Sequence, residues 1–148
     1  MSTTSLRRDH ELIEKVIKAM QSTIELLNNN TKIPESILLP VIDFSKNFTD
    51  VCHHTKEEKS LFPALEQAGM PTKMGPIAMM LIDHQRSREI GNEMENSAKE
   101  YLSSGNSEKL ISDMQLYVDH ITEHLWKENN KLFMMAEARL QHVSKKVD

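Results

Sequence analysis

The chain has 148 residues, the length of one domain, and can bury an apolar core without disulfides or a stapling metal. Its net charge is -4 with both signs interspersed, and the absence of a basic stripe argues against a nucleic-acid partner. A single cysteine, Cys52, excludes an internal disulfide framework and fits a reducing compartment. No apolar run approaches the length of a membrane span, and the opening MSTTSLRRDHELIEK lacks the apolar stretch of a signal peptide. The expectation is a cytoplasmic protein with no membrane partner.

The first predicted helix, roughly residues 4–28, carries Leu6, His10, Ile13, Ile17, Met20, Ile24 and Leu27 at alternating steps of four and three, one helix face. It ends in Asn28-Asn29-Asn30, weak helix formers suited to a cap. A second, roughly 35–68, begins near Pro34 and stops at Gly69-Met70-Pro71. Pro63 lies inside it and is expected to kink the helix or end it early, because it removes a backbone donor. The third, roughly 76–103, opens at Gly75-Pro76 and shows the stripe Ile77, Met80, His84, Ser87, Gly91, Met94, Ala98, Tyr101. Ser103-Ser104-Gly105-Asn106 breaks it. The fourth, roughly 107–140, aligns Leu110, Met114, Tyr117, Ile121, His124, Glu128 and Met135. Strand signals are absent. Four such helices with short connections predict one all-α domain over residues 1–148, an antiparallel up-down-up-down four-helix bundle. The polar tail from Gln141 to Asp148 is expected to fray.

One pattern is written twice along these helices. Asp9-His10 is followed by His53-His54-Thr55-Lys56-Glu57-Glu58-Lys59-Ser60-Leu61-Phe62, and Asp83-His84 by His124-Leu125-Trp126-Lys127-Glu128-Asn129-Asn130-Lys131-Leu132-Phe133. The two blocks share His, Lys, Glu, Leu and Phe in register. Residues four apart share a helix face, so His53 points with Glu57 and His124 with Glu128. His10, His84 and His124 fall on the apolar stripes, and the repeat places His53 and Glu57 with them. A lone buried histidine is ordinarily a satisfied core residue. Two buried carboxylates beside four histidines need a cation, because unpaired charge is costly in a core. Nitrogen and oxygen donors without thiolate suit iron, manganese or zinc. Two glutamates from opposing helices can bridge two ions, with histidines as terminal ligands.

His53-His54-x-x-Glu57-Glu58-x-x-Leu61-Phe62-Pro63, Gly75-Pro76, Asp83-His84-x-x-x-Arg88 and His124-x-x-x-Glu128-x-x-x-Leu132-Phe133 together resemble the hemerythrin-like, or HHE cation-binding, family. The resemblance runs from Asp9-His10 to about Ala138. It implies an antiparallel bundle around a non-haem di-iron centre with an oxo or hydroxo bridge. It further implies His10, His53, His84 and His124 as terminal ligands, with Glu57 and Glu128 bridging.

Oxygen-carrying members place a fifth histidine four residues on in the third helix, where this chain has Arg88. His54 and His120 are the candidates to replace it; the simpler expectation for each is a solvated or outer position. Glu58, matched by Asn129, is expected on the wet face and dispensable. Arg88 either faces the site, pairing with a carboxylate or bound anion, or packs its stem and reaches water. Tyr117 is expected to be core packing, Cys52 a buried free thiol, and the methionines flexible core filling rather than copper ligands. The leading functional expectation is binding or sensing of O₂ or a related small oxidant (NO, peroxide) without a catalytic residue. The alternatives are a di-iron enzyme for peroxide or NO removal or iron repair, and a bundle that metal only stabilises.

Overall fold

A computed structural model describes residues 3–140 as four helices. We label them α1 (Thr3–Asn28), α2 (residues 35–67), α3 (Gly75–Ser104) and α4 (residues 108–139). The tail from Gln141 to Asp148 lies outside the described residues. Neighbours in sequence are neighbours in space, and α4 closes the ring against α1, the up-down-up-down arrangement. No helix among the described residues is long and apolar enough to cross a membrane.

The predicted stripes of α1 and α3 are buried along their whole length. The connections are closed by capping chemistry. Gly69, at a left-handed φ of 97°, lets its own N–H bond Glu66 O and that of Met70 bond Leu65 O, satisfying carbonyls at the end of α2. Asn30, at φ 61°, does the same after α1. The buried Tyr101 hydroxyl near the end of α3 accepts the Ile33 N–H at 2.9 Å, tying the α1–α2 connection to the third helix.

Helices α2 and α4 are not uniform. α2 contains the π-helical runs Phe44–His54 and Glu57–Leu61, and α4 contains Glu128–Leu132. Pro63 does not end α2, which continues to Gln67. The Phe62 N–H reaches back five residues to Glu57 O, and Pro63 then falls in the first turn of the regular run Phe62–Gln67, where a missing donor costs least. The equivalent π turn in α4 has Met134 at that place, so proline is not its cause. There the inserted residue moves the buried stripe to Leu132, Phe133 and Ala136, leaving Met135 only partly buried.

The core is two apolar clusters with a polar layer between them. One fills the bundle on one side of the layer and includes Ile13, Met20, Leu38, Met94, Leu110, Tyr117 and Leu125. The other closes one end with Leu6, Leu61, Phe62, Leu65, Ile77, Leu132 and Phe133. Burying such a side chain contributes about 1.5–3 kcal/mol, so both clusters can hold the layer between them dry.

Candidate metal centre

His10 on α1, His53, His54 and Glu57 on α2, His84 on α3, and His124 and Glu128 on α4 meet in that layer, none more than 2% exposed. All six residues expected at the site are therefore brought together. The seventh, His54, was expected outside. His53 and His54 close the π-helical run Phe44–His54, and both are buried facing the layer.

Two groups of donors emerge, each with its atoms within 4.8 Å of one another: His10, His53, Glu57 and Glu128, and His54, His84, His124 and Glu57. Glu57 belongs to both, with Oε1 3.1 Å from His84 Nε2 and 3.7 Å from His53 Nε2. Glu128 also spans the layer. Its Oε1 is 2.9 Å from His10 Nε2 and its Oε2 is 3.2 Å from His124 Nε2.

The histidines are aimed from outside. Nδ1–H of His53 donates to Asp9 at 2.9 Å, of His84 to Glu58 at 2.7 Å, of His124 to Asp83 at 3.0 Å, and of His10 to the Asn129 amide oxygen at 2.9 Å. Each of these bonds engages Nδ1 and aims Nε2 at the layer, so that Nε2 is the nitrogen available to a metal once any second proton is lost. The repeat is thereby explained residue by residue. Asp9 of one Asp-His pair holds the first block's histidine, and Asp83 holds the second's. The shared lysines clamp those aspartates, Lys56 on Asp9 at 2.9 Å and Lys127 on Asp83 at 3.5 Å. The residue after each glutamate, Glu58 or Asn129, holds the lone histidine of the other half. The shared phenylalanines cover the same lone histidines, Phe133 against His10 and Phe62 against His84, with ring centroids 5.0 and 5.8 Å apart.

Several expectations change here. Glu58 is not on the wet face; it is half-buried and supports His84. Arg88 does pair with carboxylates, but those of the outer ring: Nε with Asp50 and Nη2 with Glu58, both at 2.7 Å. His120 stays out of both groups, half-buried, with its ring nitrogen on the Asp83 carbonyl at 3.0 Å. Tyr117 is core, and burial pushes its hydroxyl up to about 12. Cys52 is exposed rather than buried, because inward placement of His53 and His54 turns the preceding residue to solvent. The supporting role of Asp9 and Asp83 was not anticipated, although the repeated Asp-His dipeptide carried the signal.

Among the described residues, every buried side-chain nitrogen or oxygen without a hydrogen-bond partner, save Ser87 Oγ, lies in this layer: both His54 nitrogens, both Glu57 oxygens, Nε2 of His84 and His124, and Glu128 Oε2. The His10 and His53 Nε2 atoms face each other at 3.0 Å, a contact that requires a proton or cation between them. Without a cation, protons serve. Burial, then the charge of Glu128, raises Glu57 well above the carboxylate range, whereas Glu128 is held well below it against burial by His124, Glu57 and His10. His53 is raised against burial by Asp9 and Glu128, and His124 is raised against burial to about 9 by Glu128 and Asp83. Burial drives His54 down to about 3 and keeps it neutral. Unpaired inward donors on a charge-balanced scaffold fit a metal ion better than they fit a packed core.

A four-helix bundle whose sealed layer converges histidines and glutamates defines a metal-binding bundle. The chain matches the hemerythrin HHE cation-binding domain over residues 1–136, and it belongs to that family. It is also similar to uncharacterized proteins of Mycobacterium bovis and of two strains of Mycobacterium tuberculosis. Each is 24% identical over 130 residues, covering 86% of this chain and 50% of the relative. The chain thus spans about half the length of the curated relatives it matches. No solved structure gives a significant match.

Proposed function

We propose that this is a non-haem di-iron protein that binds or senses O₂ or a related small oxidant, NO or peroxide. One ion would be held by His10, His53, Glu57 and Glu128, the other by His54, His84, His124 and Glu57. The observation that carries this reading is the sharing of Glu57 between two complete donor groups, with Glu128 reaching across to the same histidines. Manganese or zinc would fit the same donors, but histidine with carboxylate and no thiolate is a common iron environment.

When bound, a ferrous pair supplies electrons that can be exchanged with a diatomic molecule or peroxide. The chain's own residues prepare the place for it. Asp9, Glu58, Asp83 and Asn129 hold Nδ1 of their histidines and orient Nε2 toward the layer, so these four rings would need no rotation to bind an ion. Glu57, raised by burial, would have to lose its proton to hold an ion, whereas Glu128, held well below the carboxylate range, would offer negative charge without doing so. The apolar clusters on both sides keep bulk water away and restrict the layer to small ligands.

The test is an anaerobic loading with ferrous ion followed by exposure to O₂. A charge-transfer band that appears with O₂ and disappears on its removal supports binding. Irreversible oxidation with sustained peroxide consumption would replace this reading by that of an enzyme. Full retention of the fold with no iron uptake would remove both.

A further inference from the structure

Resting on the metal-pair reading above, a further distinction separates the five histidines of the layer. Four are pinned from outside at 2.7–3.0 Å through Nδ1. His54 is not. Its Nδ1 stands 3.4 Å from Asp50 Oδ1, and neither ring nitrogen has a hydrogen-bond partner. Asp50 is itself drawn away by Arg88, whose Nε donates to the same Oδ1 at 2.7 Å. His54 also lines a cavity of about 200 Å³, bordered by Thr49, Ser87, Arg88, Gly91 and Tyr117. Ser87 Oγ on that wall is buried and has no partner.

We propose that His54 is the exchangeable ligand of the layer, and that the cavity behind it receives a small nitrogen or oxygen donor that takes its place. A ring fixed by an outer hydrogen bond resists rotation, and such supports change metal affinity by about 10–100-fold. His54 lacks that restraint and has space beside it several times the roughly 30 Å³ share of one water. His84, His124 and Glu57 remain to hold the ion while His54 is displaced. The Ser87 hydroxyl offers the occupant a hydrogen bond. The other half has no equivalent, because the residue matching His54 in the second block is Leu125, packed in the apolar core.

The experiment uses the full chain loaded anaerobically with cobalt(II), whose d–d spectrum reports coordination, with free imidazole as probe. Wild type should take up two equivalents. His54→Ala should keep both with an altered spectrum, and millimolar imidazole should restore the wild-type spectrum. His84→Ala should bind one ion at least tenfold more weakly, and imidazole should not restore it. Ser87→Ala added to His54→Ala should weaken the rescue several-fold. Should His54→Ala not fold, His54→Gln carries the same comparison. Failure of imidazole to act on the His54 variant, or equal rescue of the His84 variant, while wild type holds two ions, overturns the proposal. Fewer than two ions in wild type refutes instead the metal-pair reading on which it rests.

Discussion

Around His10 and His53 the outer supports are Asp9 and the neutral Asn129. Around His84 and His124 they are Asp83 and Glu58, with Asp50 and Arg88 added beside His54. Six inner donors and the Asp9/Asp83 and Lys56/Lys127 supports repeat from one half of the chain to the other, whereas His54 is matched by Leu125 and Glu58 by Asn129. The inner ring must satisfy a cation, and few side chains do so; the outer ring sets how strongly each histidine donates, which admits variation. A carboxylate on Nδ1–H makes an imidazole a stronger donor than an amide does. The half containing His84 should therefore hold its ion more tightly than the half containing His10.

The largest effect should come from the residue the halves share. Glu57→Ala should abolish paired binding, leaving at most one ion by elemental analysis, and Glu128→Ala should do likewise. Retention of two ions by Glu57→Ala would break the idea of a shared carboxylate.

The next effect is pH dependence. The folded His124 lies at about 9, above its ordinary 6.5, so its contribution to the metal-free fold is complete below about 6.5 and is lost as pH rises through 9. The raised Glu57 acts in the same direction. Metal competes with these protons, so affinity should rise by about tenfold per pH unit for each proton displaced. Melting curves should show the metal-free Tm falling between pH 6.5 and 9 while the gain from added metal grows.

Removing one outer support should cost less. Asp9→Asn and Asp83→Asn should each weaken one ion by about 10–100-fold in competition titrations with a chelator. Glu58→Gln should weaken the His84 half by about tenfold, and Asn129→Asp should tighten the other half, so that together they bring the two affinities closer. An unchanged gap between the two binding steps in that double variant would show that the outer ring does not set it. The smallest effect belongs to Cys52→Ser, which should leave metal uptake unchanged, while wild-type Cys52 should react with a thiol reagent in the folded state.

Much of this was legible in the sequence because helical periodicity and an internal repeat are both one-dimensional signals. The stripes located α1 and α3 closely, and the repeat brought Glu57 to the layer and left Glu58 outside it. The role of Glu58 was missed because its partner, His84, lies on another helix, and a repeat comparison tests sameness rather than contact. Asn129 hid the shared function behind a change of chemistry. Cys52 was misplaced and His54 left open because the stripe of α2 is not clean, and nothing in the residues from Phe44 to His54 announced a π-helical run.

Both donor groups meet at one carboxylate, Glu57, which makes the number of ions bound per chain the decisive quantity. Anaerobic titration of metal-free protein with ferrous ion, followed by analysis of protein-bound iron after gel filtration, counts them. Wild type should bind two equivalents per chain. Saturation at a single equivalent, or a folded protein that takes up none, would rule out a pair of ions sharing Glu57.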